Sequence, residues 1–206
     1  LVLSFLFIYS GNVMAKHPIS ISLSGKNINI SIPGGFSKDF PAPKKFSFSD
    51  NVFDPDIYDK EYNNKNIFSA RWDFGRQSLF FGGVNGTQQL SISLNKTTEK
   101  NHDVNNIEGI KNILTHDFTR NHKEFDYDVS QITPPSNYEE IKIGGKNLIH
   151  FESIVGGNHK STYAIPLFEK HYLTLSFTYI KNSDDTKWLE KSKKSEADII
   201  QTLKFE

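Results

Sequence analysis

The side chains best suited to chemistry lie two residues apart, at His150 and Glu152. Alternate residues of a β-strand point to the same face, so a strand here would place this imidazole and this carboxylate side by side. Such a pair can ligate a divalent metal or transfer a proton during hydrolysis. A solvated surface pair is the simpler interpretation, so we predict no metal site and no catalytic residue. The alternative is an envelope hydrolase or metal-dependent enzyme that depends on His150 or Glu152.

The acidic segment at 54–61 could bind calcium only if it matched the ligand order of a calcium loop. Asp54 and Asp56 fit the first two ligand positions of an EF-hand. Tyr58 and Asp59 then stand where the loop needs an oxygen ligand and a glycine. The pattern therefore predicts solvated loop charges rather than a calcium site.

The sequence lacks the local motifs of the common enzyme classes. It has no Cys, which excludes a cysteine nucleophile, a thiolate metal site and a disulfide. It contains no G-x-S-x-G, H-E-x-x-H, G-x-x-x-x-G-K-[ST] or G-x-G-x-x-G pattern. Ser, His and Asp are plentiful, but their order selects no catalytic triad. With 24 basic and 24 acidic side chains, the chain lacks the basic excess typical of nucleic-acid binding. We predict no cofactor and no nucleic-acid partner.

A short aromatic segment at 68–74 carries two residues of the types that often anchor interfaces. Period-two alternation places Trp72 on the apolar face and places Arg71 and Asp73 on the opposite face. Trp and Arg are enriched among the residues that contribute most to binding between proteins. We therefore keep Arg71 and Trp72 as candidate protein-binding residues. The alternative is a buried Trp72 beside a surface ion pair between Arg71 and Asp73.

The segment at 36–66 is predicted to be a long loop, because it contains three Pro and many Asp and Lys residues. Loops of this length are uncommon inside a compact domain and are often functional. The aromatic content of the segment argues against disorder. Its rings either cover the edge of the core or contact a protein partner. The candidate protein-binding residues are Phe46, Phe48, Phe53, Tyr58 and Tyr62.

Hydrophobic alternation predicts strands in three parts of the chain. Alternating Ile and Ser side chains predict a β-hairpin over 19–32. Two further strands are expected at about 67–74 and 88–95. A strand meander is predicted over 138–180, and its first hairpin turns at a Gly-Gly pair.

Two helices complete the expected domain. One is predicted from Asp103 to about Glu124, and the other begins after a cap at Asp184 or Asp185. Strand runs with separated helices are typical of the α+β class. We therefore predict a single α+β domain over 16–206, with two helices packed on a mainly antiparallel sheet.

The start of the chain predicts export. The uncharged apolar run LVLSFLFIY at 1–9 is followed by Val-Met-Ala ending at Ala15. This is the pattern of a secretory signal peptide, and it is too short for a transmembrane helix, which needs ~20 apolar residues. We predict a signal peptide over 1–15 whose basic start lies upstream of Leu1. The mature chain is then a soluble, non-lipidated periplasmic protein without membrane insertion, or, as a second choice, a secreted one.

Two short motifs resemble the PsbP-like fold, which includes the DcrB-like bacterial proteins. One is I-P-G-G-F at 32–36, and the other is the ending at 200–205, where Thr202 takes the place of a Ser. The predicted order of elements is similar over nearly all the mature chain. The resemblance implies a PsbP-like α+β fold and a binding role, because members of this group serve as accessory subunits, secretion-effector chaperones and immunity proteins.

Together these observations predict an exported, non-catalytic domain that binds another protein. The most specific hypothesis is a periplasmic immunity protein that neutralises a toxin or effector delivered by a type VI-like secretion system. The alternatives are the hydrolase or metal-dependent enzyme described above, and a structural accessory protein of an envelope complex.

Overall fold

The computed structural model describes residues 16–75, 83–97, 103–125 and 133–206, with side chains of the first helix described up to residue 116. The strands are β1 (Lys16–Leu23), β2 (Lys26–Pro33), β3 (Phe46–Asp50), β4 (Asn64–Gly75), β5 (Val84–Lys96), β6 (Thr133–Ile143), β7 (Lys146–Val155), β8 (Asn158–Phe168), β9 (His171–Lys181) and β10 (Lys204–Phe205). The helices are α1 (Ile107–Phe125) and α2 (Lys187–Ile200), and a short 3₁₀ helix covers Pro55–Ile57.

The strands form two sheets. The smaller sheet has the order β10-β2-β1-β3, and the larger one has the order β4-β5-β9-β8-β7-β6. All strand pairs of the larger sheet are antiparallel, whereas β3 of the smaller sheet runs parallel to β1. Sequential hairpins account for most of this order, and β9 inserts beside β5 to complete the larger sheet.

The main core lies between the two sheets, which form a sandwich. The hairpin β1–β2 buries alternate Ile and Leu side chains, including Ile21 and Ile30, and leaves its Ser side chains half-exposed. The facing side of the larger sheet contributes Ile92 and Leu175, together with Phe177, the largest fully buried side chain. One side of this core is closed by α2, whose buried residues are Trp188, Ser192, Glu196, Ile199 and Ile200.

The opposite face of the larger sheet carries a smaller core. There Ile110 and Ile113 of α1 pack over Ile149 and Phe151 of β7 and over Tyr172 of β9. The described side chains of this cluster cover one part of the sheet face. The residues that β4 and β5 place on the same face are polar, as the sequence alternation requires.

The predicted α+β class, with two helices packed on a mainly antiparallel sheet, is wrong, because the molecule is mostly β and has two sheets. The apolar face of the β1–β2 hairpin shares one core with the facing side of the larger sheet, and α2 packs against β2 at the margin of that core. Packing the two sheets together buries the apolar faces of both at once. Helix α2 then covers the margin of the main core, and α1 covers part of the opposite face of the larger sheet.

The segment at 36–66 is also more regular than predicted. It contains β3, whose Phe46 lies opposite Ile19 of β1, and the 3₁₀ helix at Pro55–Ile57. Parallel strands need a long connection rather than a tight turn. The connection from β1 to β3 comprises β2 and the segment 34–45, so β3 follows no tight turn and no local hairpin signal marks it.

Candidate functional site

Two of the predicted binding residues lie against the core. Phe46 and Phe48 occupy β3, and both rings are half-buried against the main core cluster. The Phe46 ring packs on Phe68 of β4, with their centroids 5.0 Å apart. These rings therefore help to hold the two sheets together.

Two further predicted residues, Arg71 and Trp72, are neighbours on β4 that point to opposite faces. Trp72 is 4% exposed, and its Nε1 donates a hydrogen bond to the carbonyl oxygen of Pro33 at 3.1 Å. Arg71 Nε lies 3.3 Å from Asp73 Oδ1, and Arg71 Nη2 donates to Thr87 Oγ1 at 3.4 Å. The geometry matches the simpler alternative of a buried Trp72 beside an Arg71–Asp73 ion pair.

The other three predicted residues lie where β9 begins, at one end of the sandwich. The ring of Phe53 lies 5.0 Å from the ring of Phe168 and 5.4 Å from that of His171. Phe53 is 58% exposed and Tyr62 is 41% exposed, whereas Tyr58 is buried. We call Phe53, Tyr58, Tyr62, Phe168 and His171 the aromatic end.

The backbone beneath Phe53 is held by side-chain hydrogen bonds. Asn51 Oδ1 accepts from the Phe53 amide at 3.1 Å and from the Ser24 hydroxyl at 3.0 Å. Ser24 Oγ in turn accepts from the Val52 amide at 3.0 Å. The Tyr58 hydroxyl donates to the Val52 carbonyl at 2.8 Å. Phe53 is therefore presented on a loop whose shape is fixed from both sides.

His171 is the buried polar group of the aromatic end. It is 7% exposed, and neither ring nitrogen has a hydrogen-bond partner among the residues that the structure describes. Burial lowers the pKa of His171, and the positive charges of Lys96 and Lys170 lower it further. The imidazole is therefore neutral at pH 7 and serves as part of the apolar base on which Phe53 rests. Lys26 lies over the neighbouring ring of Phe168, with its Nζ 4.3 Å from the centroid.

A second group of polar residues lies between α2 and the larger sheet. His150 Nδ1 lies 2.7 Å from Glu139 Oε1, and His150 Nε2 lies 2.9 Å from Ser161 Oγ. Ser161 donates to Glu196 Oε1 at 2.6 Å, and the Tyr163 hydroxyl donates to the same oxygen at 2.7 Å. We call Glu139, His150, Ser161, Tyr163 and Glu196 the polar network. Three adjacent strands thereby connect to one carboxylate of α2.

The predicted pairing of His150 with Glu152 does not form. The imidazole pairs with Glu139 of β6, and Glu152 accepts instead from Asn137 Nδ2 at 2.8 Å. Sequence reasoning missed Glu196, although a signal was present. Glu196 lies four residues after Ser192 and three before Ile199, on the stripe that α2 buries. An acidic residue at such a position indicates a buried carboxylate that needs donors.

The polar network contains the connectivity of a Ser-His-acid triad, but its surroundings differ from those of a nucleophilic serine. Ser161 is 6% exposed and lies within β8, which pairs with strands on both sides. Ladder pairing engages backbone N–H groups that an oxyanion hole would need. Burial raises the pKa of Glu196, and the hydrogen bonds from Ser161 and Tyr163 only partly offset this. What the geometry does directly is to fix α2 to the sheet.

The described residues also bear on metal binding and on membrane-spanning helices. Within 16–75, 83–97, 103–125 and 133–206, no three His, Asp or Glu side chains are grouped so that they could hold a metal ion. Neither described helix is long and apolar enough to cross a membrane. The predicted segment over 1–15 lies outside the described residues.

Comparisons with known proteins find similarity to a solved structure but to no family or curated protein. No protein-family model matches the chain, and no curated protein matches it. The crystal structure of LpqN, involved in cell envelope biogenesis of Mycobacterium tuberculosis, matches with a TM-score of 0.41 and 9% identity. The match covers 94% of this chain and 92% of LpqN. A TM-score below 0.5 does not establish a shared fold, so the PsbP-like resemblance remains a prediction.

Proposed function

We propose that this chain is a non-catalytic protein-binding domain and that its contact surface is the aromatic end. The observation that carries the proposal is the exposure of Phe53, which is 58% accessible although its ring lies on Phe168 and His171. Tyr62, at 41% exposed, lies two residues before β4, at the end of the larger sheet where β9 begins. Large aromatic side chains are enriched among the residues that contribute most to binding energy.

The fixed shape of the loop supports this assignment. A flexible loop loses conformational entropy when it binds, and this loss reduces affinity. The hydrogen bonds of Asn51 and Tyr58 hold the Phe53 backbone before any partner arrives. Charged residues adjoin the rings, with Lys26 over Phe168 and Asp54 next to Phe53. An apolar centre with a charged rim is the usual arrangement of a protein interface.

The finer proposal is that the partner is a toxin or effector and that the chain is its periplasmic immunity protein. The signal-peptide pattern at 1–15, the lack of catalytic motifs and the resemblance to a group that includes immunity proteins support this version. Immunity proteins act by occupying a surface of a toxin, which requires an exposed contact site of the kind that Phe53 provides.

The test is affinity capture with a chain covering 16–206, followed by titration of the captured protein. We expect one stoichiometric partner with a toxic or lytic domain among the secreted proteins of the source cells. Phe53→Ser should weaken its binding by about tenfold or more, the loss typical of an aromatic anchor. The matched control is Val155→Ser, because Val155 is 50% exposed on a different part of the surface. Equal binding by both variants would contradict the assignment of the aromatic end.

A hydrolytic function is the second candidate, because the polar network places Glu139, His150 and Ser161 in the order of a catalytic triad. This function predicts that a fluorophosphonate probe reacts covalently with Ser161. Labelling of the wild-type chain that disappears in Ser161→Ala would overturn the non-catalytic proposal. Absence of labelling, with the chain folded, would leave the polar network as the anchor of α2.

A further inference from the structure

A cleft of about 850 Å³ lies at the end of the sandwich where β1 begins, whereas the aromatic end lies beyond the end of β1. One wall is the turn at 33–35, and the other is α2. Cavities of about 300–1,000 Å³ are the usual size of sites for small organic ligands. We call this cavity the lysine cleft, for the four lysines that line it: Lys16, Lys187, Lys191 and Lys194.

The floor of the lysine cleft is aromatic and rigidly held. It includes Trp72, Phe74 and Trp188. The Phe74 and Trp188 rings lie 6.4 Å apart, and the Trp72 indole is tied to the Pro33 carbonyl. Trp188 packs directly on Gly86 of β5, where any side chain would overlap its indole. The floor is therefore formed before a ligand binds.

The acidic residues of the lysine cleft already have partners. Asp185 accepts from Asn85 Nδ2 at 2.9 Å and from the Lys187 amide at 3.0 Å. Asp198 pairs with Lys194 at 2.9 Å. Asp73 is the remaining carboxylate of the lining, and it accepts from the Thr87 hydroxyl at 2.9 Å and lies 3.3 Å from Arg71 Nε.

Three of the four lysines, in contrast, have no acidic partner. In the part of the chain that the structure describes, no carboxylate lies within ion-pair distance of the ammonium groups of Lys16, Lys187 or Lys191. The cleft therefore combines an aromatic floor with an unbalanced positive charge. A bound anion would gain charge-assisted contacts that no side chain of the described protein provides.

We propose that the lysine cleft binds a small organic anion whose carboxylate or phosphate group lies among Lys16, Lys187 and Lys191 and whose apolar part lies over Phe74 and Trp188. An inorganic ion would leave most of the volume and the aromatic floor unused. A cationic ligand would meet three unpaired ammonium groups and no free carboxylate. This site is independent of the aromatic end and requires no protein partner.

The chain provides its own reporter for a test, because its two Trp residues are Trp72 and Trp188, which both line the cleft. The full chain is titrated with octanoate and with octyl phosphate while tryptophan fluorescence is recorded. Octylammonium is the charge control, and inorganic phosphate is the control for the apolar part. We expect saturable changes with the two organic anions and none with octylammonium. The tighter of the two anions identifies the head group.

Two charge reversals on α2 distinguish binding in the lysine cleft from non-specific electrostatic attraction of the anion to the helix. Lys191→Glu should weaken octanoate or octyl phosphate binding by about tenfold, the effect of losing a charge-assisted contact. Lys193→Glu, on the same helix but outside the cleft lining, should leave binding unchanged. Equal binding of octylammonium and octanoate would overturn the proposal. An equal loss in both variants, or no saturable signal with either anion in folded protein, would also overturn it.

Discussion

The aromatic end and the lysine cleft are built from the same residue types, rings and lysines, but they expose opposite components. At the aromatic end the ring of Phe53 is 58% exposed, and Lys26 is placed over a ring face. In the cleft the two tryptophans are 4% and 6% exposed, and three of the four lysines have no acidic partner among the described residues. An exposed ring favours contact with a large apolar surface, whereas free charges above enclosed rings favour a small anion.

The polar network and the aromatic end also differ in how each holds its buried titratable group. Glu196, on the buried side of α2, accepts two hydrogen bonds, whereas the His171 ring makes none with the described residues. Burial raises the pKa of Glu196 and lowers the pKa of His171, so burial favours the neutral form of each. The network must still supply donors to a carboxylate, while the aromatic end holds its imidazole by packing alone.

The largest expected effect comes from removing the Glu196 carboxylate, which accepts hydrogen bonds from Ser161 and Tyr163 of β8. Glu196→Ala should lower the free energy of unfolding by about 3 kcal/mol, because Ser161 and Tyr163 both lose a buried acceptor. Glu196→Gln keeps an acceptor oxygen and should cost less than half as much. Urea unfolding at pH 7 measures both values. Equal stability of Glu196→Ala and wild type would show that the network does not secure α2.

The next effect concerns the floor of the lysine cleft. Gly86→Ala should cost about 2 kcal/mol, because the new methyl group displaces the Trp188 indole from β5. Gly83→Ala is the matched control, since a methyl group there meets no atom within 4 Å. Urea unfolding gives the stability, and tryptophan emission reports the indole. An unshifted emission spectrum in Gly86→Ala would mean that Trp188 is not fixed by this contact.

Lowering the pH should change the stability of the fold in opposite directions through the two buried titratable groups, His171 and Glu196. The folded state binds a proton at His171 less readily than the unfolded chain does, so acidification below about pH 6.5, the ordinary pKa of histidine, destabilises the fold. Glu196 acts in the opposite direction, because its raised pKa makes the folded state take up a proton more readily as the pH falls.

His171→Phe isolates the first of these contributions. The variant keeps an aromatic ring in the cluster and removes the proton site, so its stability should fall less between pH 7.5 and 5.5 than that of wild type. Thermal unfolding across that range measures the difference. Parallel pH profiles for the two proteins would contradict the assignment of acid sensitivity to His171.

The local elements were predictable from the sequence because their causes are local. Alternating Ile and Ser placed the β1–β2 hairpin, and Gly144 and Gly145 take the positive φ values of 56° and 80° that the predicted two-residue turn requires. The sandwich was not predictable in this way. The pairing of Phe46 with Ile19 and the division into two sheets join distant segments, and no local pattern specifies which sheet receives a strand.

The candidate site residues likewise differ in how far the sequence alone could predict their arrangement. Phe53, Tyr58 and Tyr62 lie within ten residues of one another, and the fold places them together at one end. Arg71 and Trp72 are adjacent in sequence, but strand alternation separates them to opposite faces. The partners of His150 come from β6 and β8, so the spacing to Glu152 could not reveal them.

The smallest expected effect compares two buried tyrosines that differ in one hydrogen bond. The Tyr58 hydroxyl donates to the Val52 carbonyl at 2.8 Å, whereas the Tyr179 hydroxyl has no partner among the described residues. Tyr58→Phe should therefore cost about 1 kcal/mol, while Tyr179→Phe should be neutral or stabilising because it removes a buried unpaired group. Urea unfolding resolves the two. If Tyr58→Phe is as neutral as Tyr179→Phe, the hydroxyl is not what holds the Phe53 loop, and the hydrogen bonds of Asn51 and Ser24 must fix the shape of the aromatic end.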